Sequence, residues 1–311
     1  MTTPTALYET CPATTATVRE ALRNAAPAAP LSRRAAAPLA TPEQRRKLIA
    51  FGWYGGKFSH LNWLLPHLPT DALSYCEPFG GSAAVLLNRE PAQIETYNDL
   101  DGEVVNFFRV LREQGDALVA ALELTPYSRE EYGLACGSVA GVNDLERARR
   151  FYIRARQTRS GLAQTASLGR WSQVAGSSRR NMANVVSRWH GGLAQLPLIV
   201  DRLTRVQIEN RPALDLIRMY DSEETLFYVD PPYVPASRTA KTAYGFELSI
   251  GDHENLAVAL RAVRGKVALS GYRCEFMNDT FADWRRIDGP EKQLPSSRAR
   301  VQREALWLNF K

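Results

Sequence analysis

Nothing in this chain is spaced to hold a metal ion or to knit a disulfide framework. Its four cysteines, Cys11, Cys76, Cys136 and Cys274, are scattered, and its four histidines, His60, His67, His190 and His253, form no ligand pattern. Structural zinc needs such residues at short fixed spacings. Metal chemistry is therefore not expected, and reduced cytosolic thiols are. His60 and His67 share an apolar stretch and suit packing better than ligation. No apolar run approaches the roughly 20 residues of a membrane-spanning helix. The first 45 or so residues are dominated by Ala, Pro and Thr, as in Ala25-Ala26-Pro27-Ala28-Ala29-Pro30, a composition too poor in large apolar residues to bury a core. They also lack the continuous apolar core of a secretory signal, and Glu9 and Glu20 weigh against an organellar transit peptide. A disordered tail over 1–45 is expected.

A second absence is local. From Arg147 to Val200 there is no acidic residue, while Arg147, Arg149, Arg150, Arg154, Arg156, Arg159, Arg170, Arg179, Arg180 and Arg188 fall inside. Trp171, Trp189 and several Ser, Asn and Gln residues are interleaved. A run of charge is often only a solvated face. Arginines without acid partners are not explained by internal ion pairing and fit phosphate contacts, with Gln and Asn residues available for base edges. The whole chain carries a net charge of +6, which agrees with a polyanionic partner.

What is present has an αβ rhythm. Short strands are expected at Leu73–Cys76, Ile94–Tyr97, Val206–Ile208, Leu226–Val229, Val267–Ser270 and Ala305–Leu308. Helices are expected from Ser82, from Asp101 and over Asp252–Val263. This is the pattern of a doubly wound sheet. The segment 126–197 breaks it with helical patches and no convincing strand until its end.

The most specific stretch is Leu226-Phe227-Tyr228-Val229-Asp230-Pro231-Pro232-Tyr233. Four apolar residues run into two prolines that cannot continue an interior strand. The strand must end in a rigid corner where an open α/β sheet places ligands. Asp-Pro-Pro is also a common surface turn. As a site, the corner suits methyl transfer to an exocyclic amine. Asp230 and a proline carbonyl accept its hydrogen bonds, and Tyr233 stacks on the base.

Upstream, Glu77-Pro78-Phe79-Gly80-Gly81-Ser82 lets the backbone approach a ligand. It lacks the P-loop lysine, which argues against a nucleoside triphosphate. Tyr97-Asn98-Asp99 ends the next strand. Asp99 is either a ribose acceptor or the N-cap of the following helix. Phe51-Gly52-Trp53-Tyr54-Gly55-Gly56-Lys57 joins aromatics to a lysine that suits a carboxylate.

In this order the segments resemble the Dam family of DNA adenine-N6 methyltransferases, alpha group, in a phage-like form. The resemblance runs from about Ile49 to Phe310 and thins within the insertion. It implies a Rossmann-like S-adenosylmethionine-dependent sheet over 46–125 and 198–311, with an inserted, mainly helical DNA-recognition domain over 126–197. It implies S-adenosyl-L-methionine as cofactor and no metal. Carried over by motif, Trp53, Tyr54, Gly56 and Lys57 surround the donor's methionine end. Glu77, Phe79, Gly80 and Gly81 form the turn beneath it, and Asp99 binds its ribose. Asp230, Pro231, Pro232 and Tyr233 hold the adenine, with Asp230 also bordering the donor. DNA contacts fall to Arg154, Arg156, Gln157, Arg159, Arg170, Arg179, Arg180 and Arg188. The implied partner is double-stranded DNA, met by a cytoplasmic monomer; a companion restriction nuclease stays open.

Two positions depart from the family. Ala83 stands where many relatives have a second glycine, and Ser160 replaces an asparagine, so a GATC target is not implied. RNA or cytosine-N4 methylation, and a DNA-binding relative without turnover, are the competing readings.

Overall fold

Seven short strands pair into one sheet, and a two-stranded hairpin stands apart from it. In chain order the strands are β1 (Ser74–Glu77), β2 (Ile94–Asn98), a small hairpin of β3 (Ser178–Arg179) and β4 (Met182–Ala183), β5 (Val206–Glu209), β6 (Thr225–Val229), β7 (Lys266–Tyr272), β8 (Arg285–Asp288) and β9 (Glu304–Leu308). The helices are α1 (Leu61–Leu64), α2 (Gly102–Glu113), α3 (Gly115–Glu123), α4 (Arg129–Ala135), α5 (Asp144–Gln157), α6 (Asn184–Leu193), α7 (Leu196–Leu203), α8 (Ala213–Tyr220), α9 (Ile250–Ala262) and α10 (Glu275–Thr280). The computed structural model describes residues 47–159, 163, 166–235, 246–290 and 303–311. The expected tail over 1–45, and Ser160, lie outside the described residues.

Spatial order across the sheet is β5-β2-β1-β6-β7-β9-β8. Every pairing from β5 through β7 is parallel, and β9 runs antiparallel between β7 and β8. Chain order reverses between β1 and β6, where Cys76 pairs with Phe227. Such a switch point opens a crevice at the carboxyl ends of the strands. β6 is buried along its whole length, as an interior parallel strand must be. Among the described residues no helix is long and apolar enough to cross a membrane.

All helices from α2 to α7 lie in the connection between β2 and β5. α2 begins at Asp101, whose side chain accepts from the Glu103 N–H. The Phe51, Phe107, Phe151 and Tyr152 rings lie against one another, with Phe51 edge-on to Phe151 at 5.1 Å and Phe107 stacked on Tyr152 at 5.5 Å. Aromatic pairs of this kind contribute about 0.5–1.5 kcal/mol each beyond burial. They join α5, which carries arginines of the acid-poor run, to α2 and to the turn at Trp53.

Two expectations are corrected. No helix opens at Ser82; 84–88 is a run of turns. The apolar residues favour a helix by composition, but buried Ala83 sits at φ 54, a left-handed conformation that a helix does not tolerate. That is the backbone state in which glycine is unstrained. The hairpin β3–β4 also appears inside 126–197. Its turn residues Arg180 and Asn181 both have positive φ, 55 and 59, as a two-residue hairpin turn of the right twist requires.

Candidate active site at the carboxyl edge of the sheet

Three neighbouring strands, β2, β1 and β6, lead at their carboxyl ends to Asp99, Glu77 and Asp230, and these carboxylates border one cavity. Its floor is the glycine turn after β1. A Cβ on Gly80 would lie 2.2 Å from the Tyr97 ring, so only glycine lets the turn settle there. The Tyr97 hydroxyl then donates to the Gly81 carbonyl at 2.7 Å. Gly81 has φ +49, and a Cβ there would meet the Trp53 indole at 2.6 Å. Trp53 therefore lies directly over the turn, although the two are far apart in sequence.

Asp99 is held by this turn. Its Oδ2 accepts from the Gly81 N–H at 2.8 Å and its Oδ1 from the Asp101 N–H at 2.8 Å. Burial raises its carboxyl to about 6, against those two N–H groups that favour the charged form. The N-cap alternative for Asp99 is corrected: Asp101 caps α2, and Asp99 faces the cavity.

At the corner after β6, Asp230 meets Lys57. The Lys57 ammonium is 2 % exposed and donates to Asp230 Oδ1 at 2.6 Å, to the Gly55 carbonyl at 2.9 Å and to the Tyr233 hydroxyl at 2.9 Å. Ser270 Oγ on β7 donates to the same Oδ1 at 2.8 Å. Among the described residues Oδ2 accepts no hydrogen bond, and the Asp230 side chain keeps 17 % exposure. One oxygen is thus fixed by the protein and the other is left for a ligand. Burial works against the Lys57 charge, but Asp230 and Glu304 outweigh it and hold its pKa well above the ordinary value. Burial also raises Asp230, opposed by Lys57 and reinforced by Glu304.

Trp53, Tyr54, Gly56, Lys57, Phe79, Pro231 and Pro232 are among the other residues that line it. Tyr233 stands behind it. Its ring is 5 % exposed and packs on Tyr272 at 4.3 Å.

A family model described as D12 class N6 adenine-specific DNA methyltransferase matches residues 53–293. The chain belongs to that family. The sheet is accordingly the Rossmann-like sheet of a methyltransferase. Two solved structures share part of the shape. HI0767 from Haemophilus influenzae, assigned as a methylase, is 11 % identical over 82 % of this chain and 88 % of its own, with a TM-score of 0.30. The rRNA methyltransferase aviRa from Streptomyces viridochromogenes is 12 % identical over 80 % and 81 %, with a TM-score of 0.32. Likeness at this level carries no functional argument. A comparison with curated proteins found no match.

The arginines of the methyltransferase divide in two. Arg156, Arg159, Arg179, Arg180 and Arg188 line a second, more open hollow that also touches Gly52 and Trp53. Others turn inward, which corrects the expectation that internal ion pairing could not explain them. Arg147 pairs with Glu103 at 2.5 Å, Arg149 with Glu131 at 2.9 Å and Arg150 with Glu146 at 2.8 Å. Their acids come from α2, α4 and the start of α5, outside the acid-free run. Arg154 donates to the Ala135 carbonyl at 2.6 Å, and Gln157 is fully buried with its Oε1 accepting from the Trp171 indole. Arg170 is exposed and is not among the residues lining the hollow.

Sequence reasoning missed Ser270 and Glu304. The signal for Glu304 was an acid at the head of an apolar strand. Among the described residues no cluster of His, Cys, Asp or Glu could hold a metal.

Glu77 gives the first prediction. Burial pushes its carboxyl up to about 8, against the Tyr75 hydroxyl, which donates to it at 2.6 Å, and the Leu86 N–H. The unfolded chain ionises this group near 4.5 and the folded chain only near about 8. Between those values the unfolded state binds fewer protons, so stability falls as pH rises. Asp99 has the same sign over a lower window, from 3.8 to about 6. Glu77→Gln should flatten the decline of the urea midpoint between pH 4.5 and about 8. A slope equal to that of the wild type would show that Glu77 does not hold this proton.

Proposed function

We propose that the enzyme transfers a methyl group from S-adenosyl-L-methionine to the N6 amine of adenine in double-stranded DNA. The target base is rotated out of the duplex into the cavity beside Asp230. The observation that carries this reading is the divided carboxylate of Asp230: Oδ1 accepts from Lys57 and Ser270, Oδ2 accepts from no described residue, and Asp230 lines the cavity together with Pro231 and Pro232.

The residues present fit the donor. Gly80 and Gly81 let the turn settle against Tyr97 and Trp53 and still line the cavity, and Asp99 offers further lone pairs to ribose hydroxyls. Trp53, Tyr54 and Phe79 give flat apolar walls, and Asp230 adds a carboxyl group to the same lining. When bound, the donor supplies an activated methyl on a sulfonium, so orientation is the protein's main task.

Asp230 Oδ2 and a proline carbonyl accept hydrogen bonds from the amine. This draws the nitrogen lone pair out of conjugation and stabilises charge as it develops there. Oδ2 is also the atom placed to receive the proton that the nitrogen must lose. Base rotation costs a few kcal/mol. The stacking role implied for Tyr233 asks its ring to give up part of its packing on Tyr272; its hydroxyl role toward Lys57 needs no movement.

The arginine hollow supplies the phosphate grip, and the segment 126–197 serves as the recognition insertion. Arg154 and Gln157 hold α5 in place beneath it. Loss of one phosphate contact should weaken DNA binding about equally on every sequence and reduce the slope of log Kobs against log salt by about 1. Arg179→Ala is expected to do this; an unchanged slope removes Arg179 from the contact surface.

Asp99→Ala should weaken donor binding by about 10- to 100-fold, the worth of a charge-assisted hydrogen bond. Isothermal titration with the donor checks this, and an unchanged dissociation constant refutes the ribose role. The proposed reaction itself is tested by offering labelled donor with unmethylated DNA or RNA and digesting to nucleosides. N6-methyladenine from DNA is the expected product. Label in RNA or in cytosine overturns the substrate.

A further inference from the structure

We infer that Glu304 is a positioning residue for methyl transfer, acting through Tyr233 and Lys57 to keep Asp230 Oδ1 occupied and Oδ2 turned toward the amine. This rests on the reading of Asp230 given above.

Glu304 begins β9 and is 2 % exposed. It reaches the corner because β9 pairs with β7, placing Glu304 opposite Tyr272, and β7 pairs with β6, which delivers Asp230. Its Oε1 lies 3.4 Å from Lys57 Nζ, and its Oε2 accepts from the Tyr233 hydroxyl at 3.2 Å. An ammonium has three donors. Those of Lys57 go to Gly55 O, Asp230 Oδ1 and Tyr233 Oη. A carboxylate only accepts, so the Tyr233 hydrogen must point to Glu304. That leaves a Tyr233 lone pair for Lys57. The hydrogen-bond direction along Glu304, Tyr233, Lys57 and Asp230 is therefore set by Glu304.

The charge matters as well as the direction. Two buried carboxylates share one ammonium, so Lys57 does not neutralise Asp230 alone. Without the Glu304 charge, Lys57 would bind Asp230 more tightly and draw electron density from the oxygen that meets the amine. The charged or titratable groups facing Asp230 are Lys57, Glu77 on β1, Tyr228 on β6, Tyr272 on β7 and Glu304 itself. Of these, Glu304 is the carboxylate that raises Asp230, and Lys57 is the cation that lowers it.

The test is Glu304→Gln, which keeps the shape and removes the charge. kcat should fall by about tenfold or more, the scale on which small misplacements of reacting groups act. The donor dissociation constant should stay within about twofold, since Glu304 acts behind the cavity wall. The acid limb of kcat against pH should move to lower pH, because Asp230 loses a neighbour that raised it. Glu304→Asp should return the limb toward the wild-type position. A purely structural role would lower the folded fraction and leave the limb in place. Wild-type kcat, or a reduced kcat with an unmoved limb, overturns the inference. Should Glu304→Gln not fold, Tyr233→Phe makes the test. It cuts the link and keeps all three charges; kcat must fall with donor binding kept, and wild-type kcat overturns the inference. Asp230→Asn is measured in parallel. If that variant is active, the reading of Asp230 fails; if it is inactive while Glu304→Gln is unimpaired, only the role of Glu304 fails.

Discussion

Asp230→Asn is expected to lower kcat by about 10²- to 10³-fold and to leave the donor dissociation constant within about threefold. The substitution changes one atom, and the structure fixes how the amide must sit. Lys57 Nζ and Ser270 Oγ both donate to Oδ1. The amide oxygen therefore takes that place, and the amide nitrogen takes the place of Oδ2. An N–H donor then faces the N–H donors of the amine, and the acceptor that drew out the lone pair is gone. Alanine is the weaker test, because it also leaves a buried ammonium without its closest partner. The check is single-turnover methyl transfer beside donor titration and a thermal melt. Turnover within about tenfold of wild type would remove Asp230 from the reaction.

Lys57→Met carries the second large effect. The ammonium is buried and its charge answers two carboxylates, Asp230 at 2.6 Å and Glu304 at 3.4 Å. Removing one partner of a buried ion pair costs about 3–5 kcal/mol, unless the remaining acids take up a proton. Lys57 lowers Asp230, so its loss raises Asp230 further, and the ionised form needed for hydrogen bonding disappears at a higher pH. The acid limb of kcat against pH should move up, opposite to the shift expected for Glu304→Gln. Urea unfolding and a pH series of kcat measure both effects. A limb that stays in place would mean that Lys57 does not set the state of Asp230.

The parts of this enzyme that were legible in sequence are those where one residue type has few places to go. The six short strands expected from the sequence became β1, β2, β5, β6, β7 and β9, shifted by a residue or two at their ends. The Asp-Pro-Pro corner was legible because proline must stop an interior strand. The glycine turn was legible too, but not its reason, the Tyr97 ring beneath Gly80 and the Trp53 indole against Gly81. β8 was missed since Arg285-Arg286-Ile287-Asp288 is an edge strand, where charge is protective and apolar alternation weak. The helix at Ser82 was misread because composition is blind to the positive φ of Ala83.

The acid partners of Arg147 and Arg149 could not be read from the arginine run itself, because Glu103 and Glu131 come from other helices. The roles of Ser270 and Glu304 beside Asp230 went unread for the same kind of reason. Their place beside Asp230 follows from the order β6-β7-β9, and that order is set by long-range pairing. The motif supplied the acid; the sheet supplied the groups that orient it.

The most direct test of the central claim sets the wild-type enzyme and Asp230→Asn side by side on unmethylated genomic DNA with labelled donor. Modified bases are then mapped at single-base resolution. The expected result is N6-methyladenine confined to one short sequence for the wild type, and almost none for the variant that still binds donor. Methyl groups on cytosine, label only in RNA, or equal modification by both proteins would contradict it.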